Sequence, residues 1–230
     1  MSRILDALAA DTTLLTVNKR LASELRARYD HGQAALGKTV WPTPDILAWG
    51  AWLTRLYEQL LDNGYIEHDL LNPLQERLLW QQIIEQAPGQ APLMRASAAA
   101  ATAQNANALV LDWQLDPQTL LAQGGDETRR FVTWQDAFNA VLAERGLLSS
   151  AQLPDLVRGA FTRDALPIPP RLVYAGFEAL TPAQHTLFGL LRARGCAIEA
   201  YRDEPGRGDR RRIAAEDGET EIRLAAEWAR

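Results

Sequence analysis

The sequence contains few of the residues that mark several specialised classes of protein. Its single cysteine, Cys196, excludes an internal disulfide and is compatible with a reducing cytosol. Its three histidines are far apart and lack the spacing of metal ligands, so no zinc or other metal site is predicted. The net charge of −5 is not that of a strongly basic nucleic-acid module, although it is compatible with a local basic groove.

The sequence also lacks the apolar segments of membrane and secreted proteins. No stretch approaches the roughly 20 apolar residues that cross a bilayer, and residues 1–11 lack the apolar core and cleavage pattern of a signal peptide. By contrast, 47% of the 230 residues are hydrophobic and 23% are charged, which is typical of a globular chain with one large or two small domains. We therefore expect a cytoplasmic protein that does not bind a membrane.

One segment matches the phosphate-loop pattern G-x-x-x-x-G-K-[ST]: residues 32–39, GQAALGKT. In a working phosphate loop a strand leads into the pattern, and a helix follows whose N-terminal amides hold the phosphates. Here residues 19–30 are predicted to be a helix, and two prolines within residues 40–44 prevent a helix from starting at Lys38. We interpret the segment as a surface turn. The alternative is an active P-loop ATPase that uses Lys38 and Thr39.

Strands near both ends of the sequence predict a parallel sheet. The apolar, β-branched run at residues 13–17 is followed by Asn18, a favourable N-cap, and by a helix over residues 19–29. Residues 172–175 and 197–201 form two more predicted strands, and between them lies a helix that Thr181 and Pro182 are predicted to cap. This alternation of strand and helix predicts an α/β fold.

The middle of the sequence is predicted to be helical. Residues 43–45, Thr-Pro-Asp, are typical of a helix start, and the apolar stripe of that helix begins at Ile46. Asn72 is predicted to cap a further helix, with its apolar face at Leu74, Leu78 and Ile83.

These elements predict three parts of the chain. Residues 1–90 form the first part of an α/β domain, and residues 91–166 form a helical insertion. Residues 167–230 begin with a proline-rich linker, return to the α/β domain and start a second lobe. The last predicted helix, over residues 220–230, has no C-cap, so we expect the natural protein to continue.

Two stretches resemble motifs of superfamily 1 helicases. Residues 13–28, TLLTVNKRLASELRAR, resemble the strand-to-helix motif T-x-T-N-K-A-A-x-E-L-x-x-R, which contacts single-stranded DNA in those enzymes. The positions that match it are Asn18, Lys19, Ala22, Glu24, Leu25 and Arg28. Residues 172–184, LVYAGFEALTPAQ, resemble a strand followed by the magnesium-binding motif D-E-x-Q-D-x-[ST]-x-x-Q, with Thr181 and Gln184 on the pattern.

The second stretch lacks the carboxylates of the motif it resembles. Ala175 stands at the position of the magnesium-binding aspartate, and Gly176 stands at the position of the water-activating glutamate. ATP hydrolysis needs one carboxylate to hold Mg²⁺ and another group to orient the water. Residues 1–12 are also too few for the strand, phosphate loop and helix that precede the first motif in an active helicase. The resemblance therefore implies no catalytic residue and no cofactor in this segment.

These departures resemble the inactivated helicase-like subunits of bacterial AddB- and RecC-type recombination complexes. The chain is most similar to a group of bacterial DNA repair proteins in which such a region precedes a C-terminal PD-(D/E)XK nuclease. The resemblance implies a RecA-like P-loop NTPase fold, with its parallel sheet interrupted by the helical insertion. It implies that the chain binds or guides DNA and scaffolds a nuclease in the same chain or a helicase partner. An exonuclease activity would belong to the full-length protein.

Five residues are candidates for contact with DNA, which we expect to be single-stranded. Asn18, Lys19 and Arg20 would line a path at the mouth of the sheet, where ligands collect in open α/β folds. Lys38 would meet a phosphate as a loop cation, and Trp41, which we expect to be exposed, would stack on a base. The alternative for the first three is an ordinary helix cap followed by solvated charges.

Other features have simpler interpretations. Trp49 lies on an apolar stripe and is expected in the core, as is Cys196. The densest basic cluster is interpreted as a solvated loop rather than a phosphate-binding surface, and it comprises Arg207, Arg210, Arg211 and Arg212. A last alternative for the whole chain is a protein-interaction module, in which the helices of residues 91–161 dock a partner and DNA plays no part.

Overall fold

The computed structural model describes residue 8 and residues 11–87, 96–201 and 213–228. The strands are β1 (Thr12–Thr16), β2 (Ile46–Ala48), β3 (Asp69–Leu70), β4 (Leu147–Leu148), β5 (Arg171–Ala175) and β6 (Ala197–Tyr201). The helices are α1 (Lys19–Ala35), α2 (Trp49–Asp62), α3 (Pro73–Gln86), α4 (Ala96–Asp112), α5 (Pro117–Gln123), α6 (Asp126–Arg145), α7 (Leu153–Thr162), α8 (Pro182–Ala193) and α9 (Gly218–Trp228). Among the described residues, none of the helices combines the length and the hydropathy of a membrane span.

The chain divides into two compact units after Tyr201. In the second unit the structure describes residues 213–228, where the predicted last helix is present as α9 and buries none of its residues. The arginine cluster at residues 207–212 lies outside the described residues. All further description concerns the larger unit.

A parallel sheet of four strands, in the order β2-β1-β5-β6, forms the centre of the larger unit. The prediction of an α/β fold with a parallel sheet is confirmed. Every residue of β1 is buried, as expected for the central strand of a sheet covered on both faces. From β1 the chain moves to one side of the sheet through α1, and it later returns on the other side as β5. The direction of winding therefore changes between β1 and β5, where open α/β sheets form a crevice.

Each face of the sheet has its own core. On one face α1 contributes Ala22 and Leu25, which pack with Leu14, Val173 and Ala175 of the strands. The other face carries α2, α7 and α8, and its core includes Leu15, Trp52, Leu56, Leu153, Val157, Phe161, Leu172, Leu187 and Phe188. This second core joins residues from all three predicted parts of the chain. The division at residues 90 and 166 stays a prediction.

A third core lies among the helices α3, α4 and α6, beside the short parallel pair β3 and β4. The ring of Trp80 stacks on Phe138 with 4.1 Å between centroids. The predicted cap at Asn72 is confirmed and is a capping box with Gln75. The predicted apolar face of α3 is only partly right. Ile83 is buried in this core, but Leu74 and Leu78 are 66% and 55% exposed, because α3 turns Trp80 and Ile84 towards α4 and α6.

The predicted helix start at residues 43–45 is also wrong, because residues 46–48 form β2 before the helix begins at Trp49. The amide of Leu14 donates to the carbonyl of Asp45 at 2.8 Å, which starts the pairing of β2 with β1. The carboxylate of Asp45 accepts from the hydroxyl of Thr13 at 2.5 Å and from Arg55 of α2 at 2.7 Å. Asp45 therefore ties the strand pair to α2 rather than opening a helix.

Glu76 is a carboxylate buried between α3 and the segment that follows β4. It is 2% exposed, and the hydroxyl of Ser149 donates to its Oε1 at 3.0 Å. Burial raises the pKa of Glu76 above its ordinary value, although the hydrogen bond from Ser149 opposes this shift. The folded protein therefore keeps this proton to a higher pH than the unfolded chain does.

The Glu76→Gln variant is expected to be more stable than the wild type at neutral pH. As the pH rises above the ordinary pKa of a glutamate, the unfolded wild type ionises freely, whereas the folded protein must ionise a buried carboxylate. The free energy of unfolding of the wild type therefore falls until the pH passes the raised pKa. Glutamine keeps an oxygen that can accept from Ser149, so this fall should disappear. Urea unfolding at a series of pH values measures the free energy of unfolding of both proteins. The same pH dependence in the two would contradict the prediction.

Candidate nucleic-acid interface

The candidate site lies at the carboxyl edge of the sheet, where β1 and β5 end side by side. The amide of Val17 donates to the carbonyl of Ala175 at 3.2 Å, which extends the pairing by one residue beyond the strands. The hydroxyl of Thr16 donates to the carbonyl of Asn18 at 2.8 Å, and Asn18 Oδ1 accepts from the amide of Leu21 at 2.9 Å. Only Val17 and Asn18 therefore separate β1 from α1, and the predicted N-cap at Asn18 is confirmed.

Gly176 brings the end of β5 into close contact with this turn. Its φ is +78°, and a Cβ at this position would lie 2.6 Å from Leu21 Cδ2 and 3.1 Å from Val17 Cγ1. Glycine is therefore the residue that fits here, for both its backbone angle and its lack of a side chain. At the switch point between β1 and β5, where an open α/β sheet would hold a phosphate, the side chains of Leu21 and Val17 lie close to the backbone of Gly176.

The three positions of the magnesium-like motif have structural roles. Ala175 is buried in the core beneath α1, and Gly176 makes the close turn. Gln184 forms a capping box with Thr181 at the start of α8, since its Oε1 accepts from the amide of Thr181 at 2.9 Å. None of the three presents a carboxylate to a metal ion. The exposed acidic residue nearest in sequence is Glu178.

Residues 32–39 do not have the geometry that a phosphate loop needs. Gly32 and the residues up to Ala35 belong to the last turn of α1, and residues 36–45 contain neither helix nor strand. Lys38 Nζ donates to Gln33 Oε1 at 2.6 Å. A helix thus precedes Lys38, and no helix offers its N-terminal amides after it.

The five candidate DNA contacts fall into two separate groups. Asn18, Lys19 and Arg20 are at the start of α1, whereas Lys38 and Trp41 lie beyond its end. A helix of 17 residues spans roughly 25 Å, so the two groups are at opposite edges of the sheet. Trp41 is half-buried rather than exposed, and its Nε1 donates to Asp30 Oδ1 at 2.7 Å. The sequence prediction joined residues that the structure does not bring together.

The first group is electrostatically unusual for the start of a helix. Lys19 and Arg20 are exposed, and neither forms an ion pair within the described part of the chain. The first turn of α1 has no acidic residue. Positive side chains here add to the positive end of the helix dipole, which costs stability and attracts anions. An anion at this turn would meet both cations.

A chain of aromatic rings runs from the same edge into the core. Phe177 meets Tyr174 edge-on at 6.0 Å between ring centroids, and Tyr174 lies 5.6 Å from Phe188. Phe188 meets Trp49 edge-on at 5.7 Å, and Trp49 lies 5.5 Å from Trp52. Trp49 packs against the core, as predicted, but it remains half-buried. Sequence reasoning did not identify Tyr174 or Phe177, although both lie within the magnesium-like motif.

The helical part of the unit contains a separate groove of about 620 Å³. Its polar lining includes Gln135, Asp136, Asn139, Asp155 and Arg158, and its apolar lining includes Val110, Leu111, Leu115 and Leu156. Leu115 is exposed, and so are Leu109 and Trp113 close to it in sequence. This combination is typical of a surface that takes part in protein contacts.

No group of three or more histidine, cysteine, aspartate or glutamate residues is placed to hold a metal ion among the residues that the structure describes. Comparison of the chain with protein-family models and with curated proteins finds no match.

Proposed function

We propose that the chain is a helicase-like domain without ATPase activity, from a bacterial DNA repair protein of the AddB or RecC type. In this proposal the fold is RecA-like, the helical layer is an insertion into it, and the domain binds single-stranded DNA at the carboxyl edge of the sheet. The DNA would be guided to a nuclease in the same chain or passed to a helicase partner.

The observation that carries the proposal is the pair of unpaired cations, Lys19 and Arg20, at an edge of the sheet that offers no carboxylate at Ala175 or Gly176. A nucleotide needs a cavity for its triphosphate and a carboxylate for its Mg²⁺. At this edge Leu21 and Val17 lie close to the backbone of Gly176, and Ala175 supplies no carboxylate. A nucleic-acid backbone needs only an exposed positive surface, because its binding is driven by the release of counterions.

The resemblance to the single-strand motif of helicases adds support from the sequence. Asn18 and Lys19 match that motif at the junction of β1 and α1, and Arg28 matches it in the middle of the helix. The absence of carboxylates at Ala175 and Gly176 argues against the alternative of an active ATPase. So does the helical conformation of residues 32–35.

The protein is expected to bind a short, fluorescently labelled single-stranded oligonucleotide with an affinity that falls steeply with salt. Each phosphate contact should contribute about 0.7 to the slope of log affinity against log salt concentration. Fluorescence anisotropy at several salt concentrations measures this slope. A labelled ATP analogue, titrated in parallel, should not bind; micromolar, magnesium-dependent binding would instead favour the ATPase.

The second candidate function is a protein-interaction module, and the groove lined by Leu115 and Asp136 favours it. Exposed apolar side chains around a groove are commonly the centre of a protein contact. The same titration separates the two functions, since a module of this kind has no need of DNA. No affinity for the oligonucleotide at low salt would overturn DNA binding and leave the interaction module.

A further inference from the structure

Three aromatic side chains at the carboxyl edge of the sheet keep part of their ring surface in contact with solvent. Trp49, Tyr174 and Phe177 are half-buried, whereas the rings beneath them, Trp52 and Phe188, are buried. The hydroxyl of Tyr174 makes no hydrogen bond to the described residues, and it is not among the buried polar atoms that lack a partner. Its hydroxyl therefore reaches water, as expected for an aromatic ring at the border between core and solvent.

The rings are held in a fixed arrangement by the core. Each neighbouring pair in the series Phe177, Tyr174, Phe188 and Trp49 has its centroids less than 6.1 Å apart. These spacings lie in the range of favourable aromatic contacts, from about 4.5 to 7 Å. A ligand that stacks on this surface would meet preformed rings and would not have to order them, which lowers the entropic cost of binding.

The cationic turn reaches the same edge of the sheet from its other face, because α1 packs against one core and the rings of Trp49 and Tyr174 pack against the other. Phe177 follows Gly176, which is in contact with the β1–α1 turn through Leu21 and Val17. The turn carries Lys19 and Arg20 into the solvent at this edge. Positive charge at the same edge as partly exposed aromatic rings is the combination used for single strands, whose phosphates need cations and whose unpaired bases need flat apolar partners.

We propose that Trp49, Tyr174 and Phe177 form a stacking surface for the bases of single-stranded DNA whose phosphates lie on Lys19 and Arg20. This inference rests on the proposed function and adds the way in which the bases are held. It predicts a preference for single strands, because the bases of a duplex are stacked on one another. Glu178, which is exposed beside Phe177, opposes the phosphates, and it limits the affinity of this surface.

Substitution of Phe177 tests the inference, because its ring is the last of the series. Among the described residues it contacts no ring other than that of Tyr174. Phe177→Ala is expected to weaken binding of a labelled oligothymidine about tenfold, the effect of losing one stacked base. The slope against salt should stay unchanged, since no phosphate contact is lost. Phe177→Tyr should bind like the wild type, whereas Phe177→Leu, which is apolar but has no ring, should resemble Phe177→Ala.

Two controls isolate stacking from other effects. Tyr65→Ala removes an aromatic ring that is 59% exposed in the loop after α2, outside the series, and it should bind like the wild type. An oligonucleotide of abasic sites keeps the phosphates without the bases. The wild type should bind it more weakly than oligothymidine, and Phe177→Ala should bind it as the wild type does.

The outcomes distinguish this inference from the proposed function. If the wild type binds oligothymidine but Phe177→Ala and Phe177→Leu bind equally well, base stacking is wrong and the phosphate contacts stand. If Phe177→Leu binds like the wild type and Phe177→Ala does not, the side chain acts through packing, and the inference is overturned. If the wild type does not bind at low salt, the proposed function fails and the inference fails with it.

Discussion

Reversing both charges in the first turn of α1, by Lys19→Glu together with Arg20→Glu, is expected to weaken binding of single-stranded DNA by about tenfold for each side chain. Both side chains are exposed and unpaired within the described residues, so they are available to phosphates. Loss of two phosphate contacts should also lower the slope of log affinity against log salt by about 1.4. Anisotropy titrations at several salt concentrations measure both quantities.

Destabilisation of the variant cannot account for the expected loss of DNA affinity, because the two substitutions should stabilise α1. A glutamate near the N-terminus of a helix interacts favourably with the helix dipole, and a cation there does not. The gain is expected to be about 0.3–1 kcal/mol for each position. Urea unfolding should therefore show a protein that is at least as stable as the wild type while it binds DNA less well.

The matched control places the same change of charge elsewhere on the molecule. Lys38→Glu together with Arg130→Glu alters the net charge equally, but Lys38 lies beyond the far end of α1 and Arg130 lies in α6. This control should lose little affinity, apart from the weak effect of net charge. Equal losses in the two double variants would mean that binding follows net charge, and the carboxyl edge would no longer be the site.

The elements that the sequence predicted best have strong local signals. Asn18, Asn72 and Thr181 were recognised as N-caps because a capping side chain bonds only to the next turn of its own helix. The strand β5 was predicted over residues 172–175, one residue short of its observed start, because a buried parallel strand is a short apolar run between turn residues. Such signals require no knowledge of the rest of the fold.

The elements that the sequence predicted poorly depend on distant partners. β2 has only three residues, and it is a strand because it pairs with β1, some 30 residues earlier. The apolar residues of α3 allow more than one face, and contact with α4 and α6 selects the one that carries Trp80. In both places local propensity was overridden by tertiary contacts.

The candidate site was predicted in part for the same reason. Lys19 and Arg20 follow a recognisable cap, so their place at the edge of the sheet could be derived from the sequence. Lys38 was added as a loop cation and Trp41 as an exposed ring, and the length of α1 carries both to the other edge. Phe177 was missed because its contact with Tyr174 depends on the positive φ of Gly176, which a sequence pattern does not reveal.

Phe188→Ala is expected to lower the free energy of unfolding by about 3–5 kcal/mol, which is the usual cost of removing a fully buried phenylalanine ring. The side chain is 0% exposed, and it lies between Tyr174 and Trp49 with its centroid 5.6 and 5.7 Å from theirs. The loss has two parts. The free energy gained by transferring the ring out of water is lost, and the cavity that remains adds a further cost. Because small proteins have only about 5–15 kcal/mol of stability, the variant should unfold at a much lower urea concentration.

Comparison with Phe177→Ala separates the two ends of the aromatic series. Phe177 is half-buried, so its removal should cost much less stability than that of Phe188, although it should cost DNA affinity. Phe188→Leu keeps an apolar side chain at the same place and should lie between Phe188→Ala and the wild type. A loss below about 1 kcal/mol for Phe188→Ala would mean that the core closes around the missing ring. The rings of Trp49 and Tyr174 would then owe their positions to other contacts, and a preformed stacking surface would lose its support.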